Sequence, residues 1–182
     1  MSKTVIFGAT GFIGSHVAEA LSALDPRVSA VVRSTANTGF LGSLPIELIE
    51  LADFSSPRLE QLLQGAEFVY NCTADVHMHK TLAQYRQTQV KLTRRLAEAA
   101  ARAGVKRFLQ LSTVKVFGET PARFAGEEQP CLTRFAFTQS MIDRERMLTE
   151  LAAKTGLEVV IVRPAGTLGR RSPLITALLD AQ

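Results

Sequence analysis

The feature that most constrains this chain is the run Gly8-Ala-Thr-Gly11-Phe-Ile-Gly14. It lies directly behind the short apolar run Thr4–Phe7 and opens a segment in which Ile13, Val17, Ala20, Leu21 and Leu24 recur at helical spacing. Strand, glycine turn and helix in that order give each glycine a mechanical purpose. Gly8 permits the tight exit from the strand, Gly11 clears a side chain so that backbone N–H groups can approach a pyrophosphate, and Gly14 lets the helix pack closely on the sheet. The helix N-terminus then meets the anion with free N–H donors and the positive end of its dipole. A turn that binds nothing is the competing reading. The order of the elements favours a dinucleotide site built on Gly8, Thr10, Gly11, Phe12, Ile13 and Gly14.

The remaining chain repeats the alternation. Short apolar runs at Thr4–Phe7, Val28–Arg33, Ile46–Leu51, Glu67–Asn71, Arg107–Ser112 and Glu158–Val162 read as strands, separated by segments of helical period. That is the pattern of parallel strands joined by crossover helices, so the fold class is α/β with a doubly wound parallel sheet. Leu92, Leu96, Ala99, Ala100 and Ala103 form the core stripe of a long helix near Thr81–Ala103, and another helix is expected near Arg134–Lys154. Gly65, Gly104 and Gly156 supply stop signals. The stretch Gly118–Leu132, with Pro121, Gly126 and Pro130, is the one long irregular connection.

With 182 residues, 46% hydrophobic and 21% charged, the chain suits one compact domain, residues 1–182, with a sizeable core. Its net charge of +4 comes from scattered or paired basic residues, and it has no Trp and two Tyr. Nucleic-acid binding calls for a concentrated basic stripe with aromatic platforms, and that class is set aside. Cys72 and Cys131 lack metal spacing and read as reduced thiols. No apolar run approaches the roughly 18 residues that span a bilayer, so a soluble, cytoplasmic protein is expected, with no membrane partner.

Arg33 closes the second strand, where an NAD-selective site carries a carboxylate for the adenosine ribose 2′-hydroxyl. An arginine instead forks onto a 2′-phosphate, so NADP is the expected cofactor and NAD the second choice, with Ser34 and Thr35 as further donors. Asp53, after the third strand, reads equally as an acceptor for an adenine amino group or as a cap for the helix carrying Leu59, Leu62 and Leu63.

These motifs together resemble the extended short-chain dehydrogenase/reductase family, the NAD-dependent epimerase/dehydratase family. The resemblance is carried by the glycine turn, the Asp53 turn, Val69-Tyr-Asn-Cys-Thr-Ala74, Ala99-Ala100 with Gly104-Val-Lys-Arg-Phe108, Ser112-Thr-Val-Lys-Val-Phe-Gly118, and Val162-Arg-Pro-Ala-Gly-Thr-Leu-Gly169. It implies a Rossmann-type domain whose cofactor contacts extend to Asp53, Phe54, Cys72, Thr73, Ala74 and Pro164, with the nicotinamide near Thr113 and Arg163-Pro164. Members usually continue into a substrate-binding portion, which this chain is expected to lack or hold only in part. The helices near 81–103 and 134–154 match those through which relatives pair, which implies a homodimer.

Catalysis in the family uses a Tyr and a Lys four residues later on one helix, with a Ser or Thr at the end of the fifth strand. A phenol of ordinary pKa about 10 needs a neighbouring cation to lose its proton near neutrality. Aligning that motif on the start of the helix puts Phe135 at the Tyr position and Gln139 at the Lys position, while Thr113 keeps the hydroxyl. Tyr70 and Tyr85 lie in other elements. Lys115, two residues past Thr113 and on the same side of an extended segment, is the candidate substitute acid, with a solvated lysine as the blander reading. His77 and His79 read as loop histidines or proton donors, and Arg170-Arg171 as a phosphate clamp or a solvated pair. Two kinds of function follow. One is an oxidoreductase or epimerase acting on an unidentified small molecule with a non-standard proton donor, and the other is an inactive dinucleotide sensor or pseudo-enzyme subunit.

Overall fold

The computed structural model describes residues 3–35, 38–52, 54–76, 79–118, 126–131 and 133–172. In chain order the elements are β1 (Lys3–Phe7), α1 (Phe12–Ser22), β2 (Val28–Val32), a 3-10 turn (Gly39–Ser43), β3 (Glu47–Glu50), α2 (Ser56–Leu63) and β4 (Ala66–Asn71). There follow α3 (Leu82–Tyr85), a π-helical stretch (Arg86–Lys91), α4 (Leu92–Arg102), β5 (Arg107–Leu111), a second 3-10 turn (Val114–Phe117), α5 (Ala136–Thr155) and β6 (Glu158–Val162). Each expected strand stands in place, its ends displaced by no more than one residue.

The strands pair in parallel in the order β3-β2-β1-β4-β5-β6. This is the doubly wound Rossmann order, whose direction of winding reverses between β1 and β4 and opens a crevice beyond their carboxyl ends. Period-two alternation along β1 explains the two layers. Val5 and Phe7 join Leu59, Leu63, Leu96, Phe108 and Leu148 on one face, while Ile6 packs with Ala18, Val28, Ala30 and Leu41 on the other. Both faces are covered, so the strands read as continuous apolar runs. Each fully buried Leu or Phe contributes roughly 1.5–3 kcal/mol.

The long helix expected near 81–103 is not continuous α-helix. Thr81 and Gln84 form a reciprocal cap at its start, and Arg86–Lys91 widens to π geometry. Gln89 in that stretch is buried and donates to Ser140 Oγ at 3.0 Å. Pairing across to α5 holds a polar side chain inward where the apolar stripe alone shows no interruption. Gly156 ends α5 in the left-handed region at φ 76°, as its stop signal predicts. Among the described residues no helix is long and apolar enough to cross a membrane.

Candidate functional site

A cleft of about 810 Å³ opens at the carboxyl ends of β1, β2 and β4. Its walls bring together Gly8, Thr10, Gly11, Arg33, Phe54, Cys72, Thr73 and Ala74, residues scattered over the first 74 positions. Phe12 instead fronts a smaller hollow of about 270 Å³ on the other side of the turn, with Phe40 and Arg171. Ile13 and Gly14 lie in the first turn of α1, and neither they nor Pro164 line the cleft. Asp53 lies outside the described residues.

The turn is held by contact as well as by φ. Gly8 has φ 77°, and a β-carbon there would stand 2.7 Å from the backbone carbonyl carbon of Cys72. Gly11 donates its N–H to the Gly8 carbonyl at 3.1 Å and N-caps α1, with no side chain bonded to the helix end. The first-turn N–H groups of an α-helix have no partner within the helix, so an uncapped end that begins at Gly11 on the cleft wall suits an anion. The opposite wall carries Lys80, Lys91, Leu92 and Arg95, which sequence reasoning missed. Lys91 and Arg95 stand four apart, so a basic pair on one helical face was the available signal.

The end of β4 is tied down from below. Asn71, fully buried, donates through Nδ2 to Gln110 Oε1 at 2.8 Å and to Thr93 Oγ1 at 3.3 Å. Its Oδ1 accepts from Thr73 Oγ1 at 2.7 Å and from the Thr73 N–H at 3.2 Å. Next to it, burial pushes the Cys72 thiol up to about 11. Thr35, expected as a donor to a phosphate, is committed elsewhere. Its N–H and Oγ1 both donate to Glu50 Oε2 at 2.9 Å, because β3 runs beside β2 and delivers that carboxylate to the loop. Those bonds hold the Glu50 carboxyl below its ordinary value.

Thr113 follows β5 and caps the 3-10 turn Val114–Phe117, its Oγ1 accepting from the Lys115 N–H at 3.3 Å. Lys115 therefore sits in a helical turn, not in the extended segment expected, and the argument that placed it on the same side as Thr113 fails. The flanks of Thr113 are clamped. Ser112 Oγ donates to Glu145 Oε1, and Arg163 forks onto the same buried carboxylate with Nη2 to Oε2 at 2.7 Å. The Val114 N–H donates to the Pro164 carbonyl at 3.1 Å, and the Arg163 guanidinium stacks 4.9 Å from the centre of the Phe117 ring. The bond to Glu145 raises the Arg163 pKa.

The two positions read from the motif lie at the N-cap and in the first turn of α5. Phe135 is 71% exposed, and Gln139 Nε2 donates to Asp143 Oδ1 at 3.0 Å. Asp143 Oδ2 also accepts from Arg86 Nε at 2.6 Å. The i,i+4 pair that does pack against Val116 and Phe117 is Phe137 and Met141. Tyr85 is buried, with its ring edge-on to Phe137 at 5.6 Å between centroids, and Tyr70 is in β4. His79 is exposed with φ 73°, and His77 lies outside the described residues.

Of the pair Arg170-Arg171, Arg171 is bound into the fold, while Arg170, with 76% of its side chain exposed, stays solvated. Arg171 Nη2 donates to Glu19 Oε2 at 2.6 Å and to His16 Nδ1 at 2.9 Å, and its guanidinium lies 3.9 Å from the centre of the Phe40 ring. Arg170 reaches Glu19 at 3.3 Å. Together they tie the segment after β6 to α1, a long-range contact invisible to local pattern.

The glycine turn, the cleft at the sheet's switch point and the Thr113 turn carry one family pattern, and a model of the NAD dependent epimerase/dehydratase family matches residues 4–180. The chain belongs to that family. Among curated proteins of the kind, it is 30% identical over 184 residues to a UDP-glucose 4-epimerase of Vibrio cholerae, covering 93% of this chain and 53% of that protein. It is 31% identical over 173 residues to sterol demethylase protein B of Methylococcus capsulatus, covering 91% of this chain and 52% of that protein. The chain thus spans about half the length of these curated relatives. The crystal structure of a UDP-glucuronic acid 4-epimerase from Bacillus cereus in complex with NAD superposes with a TM-score of 0.84 at 24% identity, over 98% of this chain and 63% of that one. At that identity the likeness speaks for the fold.

Proposed function

We propose that this chain is the dinucleotide-binding part of an NADP-linked oxidoreductase or epimerase of the nucleotide-sugar type. The observation that carries the reading is the uncapped N-terminus of α1, presented across the glycine turn to a cleft at the switch point of the sheet. A nicotinamide dinucleotide laid there has its pyrophosphate on the turn. Its adenosine half lies toward Arg33 and Phe54, and its nicotinamide half toward Thr113. Arg33 on the cleft wall supports NADP over NAD, because a guanidinium pairs with the 2′-phosphate. Dinucleotide chemistry belongs to the cofactor, and the protein's part is to position it and exclude competing reactions. The names of the curated relatives support a hexose joined to a nucleoside diphosphate as the substrate class. Calorimetric titration with NADPH and NADH tests the reading. Saturable binding with NADPH the tighter is expected, equal affinities remove the NADP part, and no binding of either removes the whole.

A second reading, a dinucleotide sensor without turnover, is favoured by Phe137 and Met141. These stand on the α5 face toward the Thr113 turn, where the relay of the family requires a phenol and an ammonium. Neither can transfer a proton. The oxidised-cofactor complex mixed with UDP- and dTDP-hexoses separates the two readings. Growth of the reduced-nicotinamide absorbance, or conversion of the sugar followed by chromatography, supports turnover, since an epimerase returns its hydride and shows only the second; the absence of both with every sugar supports the sensor.

A further inference from the structure

Arg144 is the largest fully buried side chain of the described residues, with 0% of its surface exposed. Its hydrogen bonds all go to neutral acceptors. Nη1 donates to the Thr73 carbonyl at 3.1 Å and to Gln89 Oε1 at 3.4 Å, and Nη2 donates to the Leu111 carbonyl at 2.7 Å. Nε is buried with no partner among the described residues. The carboxylate next to it in sequence, Glu145, is taken by Ser112 and by a second guanidinium, Arg163. Glu145 and the partly exposed Arg163 therefore balance one another, and Arg144 is left as the fully buried excess positive charge behind the ends of β4 and β5. Burial lowers the Arg144 pKa to about 10, so it carries that charge at neutral pH.

The location gives the charge a meaning. Thr73 lines the cleft, and Leu111 is two residues ahead of Thr113. Arg33 and Phe54, at the β2 and β3 ends, define the adenosine half, so the β4–β5 half receives the nicotinamide. An oxidised nicotinamide is a cation and a reduced one is neutral, while the rest of the molecule is unchanged between them. A fixed charge in a poorly solvated wall acts on that difference alone.

We infer that Arg144 biases the cleft toward the reduced form of the dinucleotide, acting from behind the wall as a specificity residue for the cofactor's oxidation state. This rests on the dinucleotide reading above. Its arms are the dissociation constants of NADPH and NADP⁺ for the wild-type chain, Arg144→Met and Arg144→Lys. In Arg144→Met the oxidised-to-reduced ratio of dissociation constants falls about tenfold, the size of a unit charge acting through a partly screened interior. For a two-electron couple this is about 30 mV in the potential of the bound cofactor. In Arg144→Lys, which keeps the charge, the ratio stays close to wild type. Arg144→Gln, which keeps a donor for the Leu111 carbonyl, reads the same ratio should the Met variant fail to fold. A purely structural role weakens both forms equally. An unchanged ratio in the neutral variants, or an equal fall in the Lys variant, overturns the inference and leaves dinucleotide binding standing. Failure of the wild-type chain to bind either form removes both.

Discussion

A β-carbon on Gly14 would lie 2.1 Å from the carbonyl oxygen of Gly8. The first turn of α1 is thus packed against the glycine turn at a distance only a hydrogen atom fits, and the obstruction is backbone, which cannot swing aside. Gly14→Ala is expected to destabilise the protein by about 3 kcal/mol, the upper end for overpacking, because helix and turn must part. Gly8→Ala adds a left-handed φ to its overlap with Cys72 and is expected to lose at least about 2 kcal/mol. Urea denaturation of both variants checks this. Wild-type midpoints would mean that the turn is looser than its geometry.

Arg33 stands on the cleft wall at the end of β2, while its neighbour Thr35 is held by Glu50. Arg33→Ala is expected to weaken NADPH about tenfold, the worth of a charge-assisted fork, and to leave NADH within about twofold. Parallel titrations of the two cofactors read it. An equal loss for both would assign Arg33 to the pyrophosphate or to the fold instead.

Glu145 joins Ser112 on the β5 exit to Arg163 on the β6 exit, itself 5% exposed. Glu145→Ala leaves Arg163 half-enclosed without its anion, beside the uncompensated Arg144. A loss of about 3 kcal/mol is expected, as for a broken buried pair. The Glu145→Gln variant, which keeps a hydrogen-bond acceptor but not the charge, should recover part of it. Equal losses in the two variants would assign the effect to shape rather than charge. Thermal unfolding gives the comparison.

Cys72 provides a pH test. The folded protein holds the thiol proton up to about 11, whereas the unfolded chain releases it near the ordinary 9.0. Between those values the unfolded state binds fewer protons than the folded state, so stability falls as pH rises, by about 2–3 kcal/mol in all. Below pH 9 this contribution is constant. Cys72→Ala should remove the decline, read as the difference between the two proteins' alkaline urea profiles. Parallel profiles would show that the thiol is better solvated than its position implies.

The adenosine side of the cleft was legible because its parts are local. Gly8, Thr10 and Gly11 sit in one turn, and Arg33, Phe54, Cys72, Thr73 and Ala74 each follow a strand end that periodicity locates. The helix α5 was legible as a helix, but not in its rotation. Phe135 and Gln139 satisfied the spacing of a relay as well as Phe137 and Met141 do. Only packing against Val116 and Phe117 distinguishes the pairs. The turn at Thr113 misled for a related reason. A threonine hydroxyl capping the next turn competes with extended structure, and β propensity alone does not weigh that bond.

By itself the sequence determined what short-range physics can determine, namely strands from apolar runs, helices from their stripes, and an anion-seeking turn from three glycines at fixed offsets. Tertiary structure decided which distant charges meet. Arg144 came under the β4–β5 wall, Arg163 onto Glu145, and Arg171 onto Glu19, across separations of 18 residues for the second and 152 for the third. Local pattern carries no information on such encounters. They depend on how the layers stack, and inside a protein the energy of a charge is set by what surrounds it rather than by its neighbours along the chain.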